Sequence, residues 1–141
     1  MNRIDITLDG LESPPWLEEA EPFIQAILGK LGKHNWDLSI LFCTNEIIRN
    51  LNKQYRSEDK ATDVLSFIMA ETAGEQYLPG DIAVSIEMME ENAKYLNISP
   101  QEELRRLLIH GILHLAGMDH ATNDKEETML ILQEKLLKEH C

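Results

Sequence analysis

Three histidines stand within one run of eleven residues, His110-Gly111-Ile112-Leu113-His114-Leu115-Ala116-Gly117-Met118-Asp119-His120. Imidazole is the commonest transition-metal ligand, and the spacing suits a single ion. His110 and His114, four apart, fall about one turn apart on the same face of a helix. Zinc bonds to nitrogen of ~2.0–2.1 Å can be met by such a pair without strain. His120 would lie roughly 15 Å beyond His110 if that helix continued. Gly117 supplies the break, because glycine takes the left-handed conformation that turns a chain back at a helix end. The expectation is one ion held by His110, His114 and His120. Zinc is the expected metal, with nickel or another imidazole-preferring ion compatible. Three nitrogen ligands leave a fourth tetrahedral position for water, the pattern of hydrolytic rather than structural sites. A lone His-x-x-x-His pair usually means nothing. Here three of five histidines share one run, and the glycine is correctly placed. His34 and His140 are expected at the surface.

The same frame, His-x-x-x-His-x-x-Gly-x-x-His, occurs in metzincin peptidases, where glutamate follows the first histidine as general base. This chain has Gly111 there. Glycine moves no proton, so peptide hydrolysis would lack its base. Asp119, beside a ligand, could act as a base. It could equally orient an imidazole from behind.

Around this run the chain reads as a single α+β domain, a small, mostly mixed sheet packed with several helices. Its 141 residues are enough for one core. Arg3 to Leu8 alternates like a half-buried strand. Pro14-Pro15 breaks the chain, and Trp16 to Leu31 has helical periodicity, with Pro22 expected to start a second helical segment. Trp36 to Cys43 reads as a strand, and Thr44 as the N-cap of a helix through about Tyr55. Val64–Met69 and Ile82–Ile86 read as strands, followed by a helix from about Glu87 to Leu96. Ser99-Pro100-Gln101-Glu102 is a capping box with proline at the first helical position. The helix it opens is apolar on more than one side around Leu107–Leu115, so it should be central and carry the histidine pair. A last helix is expected from about Asn123 to Lys138.

Composition narrows the function classes. The net charge of −12 argues against non-specific duplex binding. The charge is uneven, however. Residues 38–70 balance four basic and four acidic groups, while 71–104 carry one basic and eight acidic. An anionic substrate would therefore best meet the protein among Arg49, Lys53, Arg56 and Lys60, although a solvated helix face explains these residues as well. No apolar run is long enough to span a bilayer, and the first residues lack the apolar stretch of a signal peptide. The expected compartment is the cytosol, with no membrane partner. Cys43 reads as a buried thiol. A bridge from it to Cys141 is not expected in a reducing compartment.

The run from His110 to His120 resembles the signature of the YbeY family, His-Gly-x-Leu-His-Leu-x-Gly-Tyr-Asp-His, with Met118 in place of the tyrosine. Leu51-Asn52-Lys53-Gln54-Tyr55-Arg56 resembles the family segment that ends in a characteristic arginine. Asp59 to Phe67 resembles the next segment, with Ala61 where proline is common, and Gly80-Asp81-Ile82 resembles a third. The resemblance implies a metal-dependent endoribonuclease specific for single-stranded RNA, acting in 16S rRNA 3′-end maturation and ribosome quality control. It implies RNA and the ribosome as partners, His110, His114 and His120 as zinc ligands, and Arg56 as a functional residue. A guanidinium is suited to phosphoryl oxygens, which it grips bidentately as charge builds. Taken by itself, Arg56 would read as a surface arginine paired with Glu58 or Asp59. Two other functions stand beside the nuclease: a metal-dependent hydrolase of another substrate, such as a peptide, and a non-enzymatic ribosome-associated protein with structural zinc.

Overall fold

A computed structural model describes residues 1–118 and 128–139. Among them, four strands and five helices follow one another as β1 (Arg3–Leu8), α1 (Leu17–Lys30), β2 (Asp37–Cys43), α2 (Asn45–Arg56), β3 (Val64–Ala73), β4 (Gln76–Ser85), α3 (Ile86–Leu96), α4 (Pro100–Leu115) and α5 (Thr128–Glu139). The strands form one sheet in the order β1-β2-β4-β3. β1, β2 and β4 run parallel, and β3 closes one edge antiparallel to β4. The fold is thus α+β with a mixed sheet, as expected.

Strand alternation divides the core between the two faces of the sheet. Leu38, Ile40 and Phe42 of β2, with Ile82 and Val84 of β4, pack with α1, α3, α4 and α5. On the other face Cys43, Leu65 and Ala83 pack with Ile48, Ile47 and Leu51 of α2. α4 is the central helix. Leu104, Leu107, Leu108, Ile109, Ile112, Leu113 and Leu115 are all buried, and the helix touches β3, β4, α1, α3 and α5. Its N-terminus is capped as expected, with Ser99 Oγ accepting from the Glu102 N–H at 3.1 Å. Thr44 caps α2 in the same way, accepting from Ile47.

Three expectations need correction. Pro22 does not start a second segment, since α1 runs unbroken from Leu17 to Lys30 with Pro22 inside it. The ring forfeits only the bond to the Glu18 carbonyl, and both residues are exposed. Meanwhile Ala20, Ile24, Ile27 and Leu28 bury one continuous face. Ile86 belongs to α3 rather than to the preceding strand, because Ser85 already caps that helix through a bond from the Met88 N–H. The third correction is larger. β3 and β4 run on past Met69 and begin before Ile82 as a hairpin arm, pairing Glu71 with Leu78 and Ala73 with Gln76. Between Ile68 and Glu71 the register shifts, and Ala70 takes a positive φ of 55°. Met69 and Ala70 there oppose Pro79 alone, a bulge placed against the residue that has no N–H to pair. The expected start of the last helix at Asn123 lies outside the described residues, as do His140 and Cys141.

Candidate active site

The last turns of α4 bring His110 and His114 together. Their rings meet edge to face, with centroids 4.7 Å apart, and His114 Nε2 lies 3.1 Å from His110 Nε2. Two nitrogens on one tetrahedral ion with bonds of ~2.0–2.1 Å would lie roughly 3.3–3.4 Å apart. The pair therefore already fits two vertices of such a site. Among the described residues no third His, Cys, Asp or Glu completes a metal-binding group. The expected third ligand, His120, and its neighbour Asp119 lie outside the described residues.

The helix stops where the sequence requires. α4 ends at Leu115, and Gly117 takes a φ of +92°. The Gly117 N–H donates to the His114 carbonyl and the Met118 N–H to the Leu113 carbonyl, both at 3.0 Å. This pair of bonds is the Schellman closure that a left-handed glycine permits.

Gly111 has a packing role. It is buried, and a Cβ there would come within 2.9 Å of Ile82 Cδ1 and 3.0 Å of Ile82 Cγ2. The helix approaches the sheet so closely at this point that a side chain would enter the core. A metzincin-type glutamate at position 111 would therefore have to displace Ile82 from its place in the core.

On its other side His110 is held by Gln133 of α5, whose Oε1 lies 2.7 Å from His110 Nδ1. This contact was not legible in the sequence, since nothing in the spacing says which residue of α5 faces His110. The two residues line a cavity of about 200 Å³, together with Asp63, Glu103 and Arg106. Arg106 joins the surrounding carboxylates. Its Nε and Nη2 donate to Glu134 at 3.0 and 3.1 Å, and its Nη1 donates to the buried Glu103 at 2.9 Å. These bonds, Glu134's first, hold the guanidinium charged.

Arg56 ends α2 on the opposite face of β3. Neither carboxylate expected to pair with it does so: Asp59 accepts from Arg49 at 2.7 Å, and Glu58 pairs with Lys60 at 3.6 Å. Arg56 Nη2 instead makes a long bond, 3.4 Å, to the Ser66 carbonyl. The Ser66 hydroxyl reaches the Gly111 carbonyl, also at 3.4 Å. One residue of the edge strand thus touches both Arg56 and the turn between the two histidines. Arg56 itself lines a groove of about 700 Å³ with Tyr55, Phe67, Ile68, Ser39 and Asp81. Tyr55 is two-thirds exposed there, its ring edge-on to Phe67 at 5.1 Å. Burial raises the Asp81 carboxyl above the usual range, partly offset by a hydrogen bond from Ser39. Beneath the same face of the sheet the Cys43 thiol is pushed up to about 12 by burial and by the charges of Asp9 and Glu87, which makes it a poor nucleophile.

Comparison with known proteins agrees with this architecture. The family described as Endoribonuclease YbeY matches residues 9–140. An Endoribonuclease YbeY of Treponema pallidum (strain Nichols) is 43% identical over 146 aligned positions, covering 100% of this chain and 91% of the relative. That of Treponema denticola is 48% identical over 125 positions, covering 85% and 81%. The solution structure of TM1509 from Thermotoga maritima superimposes with a TM-score of 0.68 at 34% identity, covering 99% of this chain and 88% of the other. The chain belongs to the YbeY family of endoribonucleases.

Proposed function

We propose that the protein is a zinc-dependent endoribonuclease that cuts single-stranded RNA. Its place is in the cytoplasm, in 16S rRNA 3′-end maturation and ribosome quality control, with precursor rRNA and the ribosome as partners. The observation that carries the reading is the approach of His110 Nε2 and His114 Nε2 to 3.1 Å, in a chain whose relatives are named as endoribonucleases. His110 and His114, with His120 as the third ligand, would hold the ion. When bound, zinc supplies a Lewis acid that polarises a phosphoryl oxygen and lowers the pKa of water.

The remaining work falls to the chain. The Arg56 guanidinium, without a carboxylate partner among the described residues, grips the non-bridging oxygens of the scissile phosphate as their charge grows. Asp119, adjacent to a ligand, takes up a proton or steadies an imidazole. Gly111 counts against a peptidase, because a general-base glutamate there would have to displace Ile82 from the core.

Replacing His114 by Ala should abolish both zinc binding, read by metal analysis, and cleavage of a single-stranded RNA. Full cleavage by a metal-free His114→Ala preparation would sink the proposal.

A further inference from the structure

We infer that Gln133 is the positioning residue of the metal centre, fixing the tautomer and the aim of His110. The inference rests on the reading of His110 as a metal ligand. It starts from Gln133's burial, since only 7% of its surface is exposed. An amide that deep needs partners on both ends. Its Nε2 faces Glu134 Oε2 at 3.1 Å. An ionised carboxylate only accepts, so the NH₂ must point at Glu134 and the oxygen at His110. That orientation leaves His110 Nδ1, 2.7 Å from Gln133 Oε1, as the donor. A neutral imidazole that donates from Nδ1 presents its lone pair at Nε2, and Nε2 is the atom that faces His114.

The amide is itself held by a chain of charged and polar groups. Glu134 takes two bonds from Arg106, and Arg106 donates in turn to Glu103. Asn92 Nδ2 then bridges Glu103 Oε2 and Asp63 Oδ2, 3.1 Å from each. The chain links α5, α4, α3 and the residue before β3 and holds the Glu134 carboxylate in place, so Gln133 cannot turn its oxygen away without losing its bonds to both Glu134 and His110. Partners of this kind fix the orientation of a ligating histidine and raise its basicity.

Two measurements test the inference. The first is a ¹⁵N–¹H imidazole correlation spectrum of the wild-type protein freed of metal, in alkaline buffer. His110 should carry its proton on Nδ1; a proton on Nε2 would overturn the inference. This readout needs neither a variant nor a bound ion. It therefore stands apart from the metal reading, which fails separately if the wild-type protein takes up no zinc. The second measurement is zinc affinity, by competition with a chromophoric chelator, in Gln133→Met, which keeps the volume and removes the acceptor. Affinity should fall roughly 10–100-fold with the helical circular-dichroism spectrum unchanged, and the His110 proton should redistribute between the two nitrogens. A folded Gln133→Met protein with wild-type affinity and tautomer overturns the inference. If Gln133→Met does not fold, the wild-type spectrum still decides.

Discussion

The two histidines of α4 and the arginine of α2 lie on opposite faces of one edge strand, and the protein holds them by different means. The histidines are spaced along a single helix whose neighbouring residues are buried, with the buried Gln133 behind one of them. Arg56 stands at an exposed helix end, tied among the described residues by a long bond to a strand carbonyl. Each region also depends on a glycine. Gly111 lets α4 approach Ile82, whose side chain can shift a little. Gly80, at φ +141°, lies where any Cβ would collide with the Phe67 backbone carbonyl, which cannot. The contrast separates a histidine pair set by helical pitch and backed by a buried amide from an exposed arginine beside an open groove.

If the contrast holds, substitutions should divide along it. The largest effect is expected from His110→Ala, which should lose zinc and reduce RNA cleavage to background, read by metal analysis and a gel assay. Arg56→Ala should lower cleavage about 10²–10³-fold, the usual loss when one donor to a developing oxyanion is removed. Zinc content and melting temperature should stay at wild-type values, because an exposed residue with few contacts contributes within about 0.5 kcal/mol to stability. A parallel loss of zinc in Arg56→Ala would erase the distinction between the two regions.

The glycines give smaller effects, read as stability in urea unfolding. Gly80→Ala should cost about 3 kcal/mol or more, from a backbone clash and an unfavourable φ. Gly111→Ala should cost about 1–2 kcal/mol, since overpacking is partly offset by the better helix propensity of alanine. Placing Gly111→Ala in an Ile82→Val background should recover part of that cost, as expected for two residues in contact. Equal costs for the two glycines would contradict the contrast between a yielding and an unyielding neighbour.

The smallest effect is a pH dependence in the groove. The raised Asp81 carboxyl means that the folded state favours its protonated form. Its contribution is therefore lost as pH rises through and above the ordinary carboxylate range, where the unfolded chain ionises more readily. Asp81→Asn should be slightly more stable than the wild type at neutral pH, and the gain should vanish in acid. A gain that grows as pH falls would have the wrong sign.

How much of this could be read from the sequence follows from the range of the interactions. β1 was legible to the residue because alternation is local. So were the caps at Thr44 and Ser99 and the stop at Gly117, because each depends on neighbours a few positions away. The histidine pair belongs to the same class, its geometry set by helical pitch. The arm of β3 and β4 was missed because β3 is exposed on both faces from Ile68 to Ala73, so Glu71, Thr72 and Ala73 show no alternation to detect. The continuous α1 was missed because its tertiary face outweighs one proline. Gln133 and the Arg56–Ser66 contact were illegible for a different reason, since each joins elements whose mutual orientation the sequence does not state. Ala61 and Met118, where the chain departs from the family pattern, leave the described geometry of the histidine pair intact.

The central claim is that the histidine-bound ion performs RNA cleavage. The direct test is to strip the wild-type protein of metal, return zinc in measured steps, and follow cleavage of a single-stranded RNA. Activity should be absent without metal and rise to a plateau at one zinc per chain. Cleavage at full rate by the stripped protein, or zinc bound at one per chain with no cleavage of any single-stranded RNA, would contradict the account.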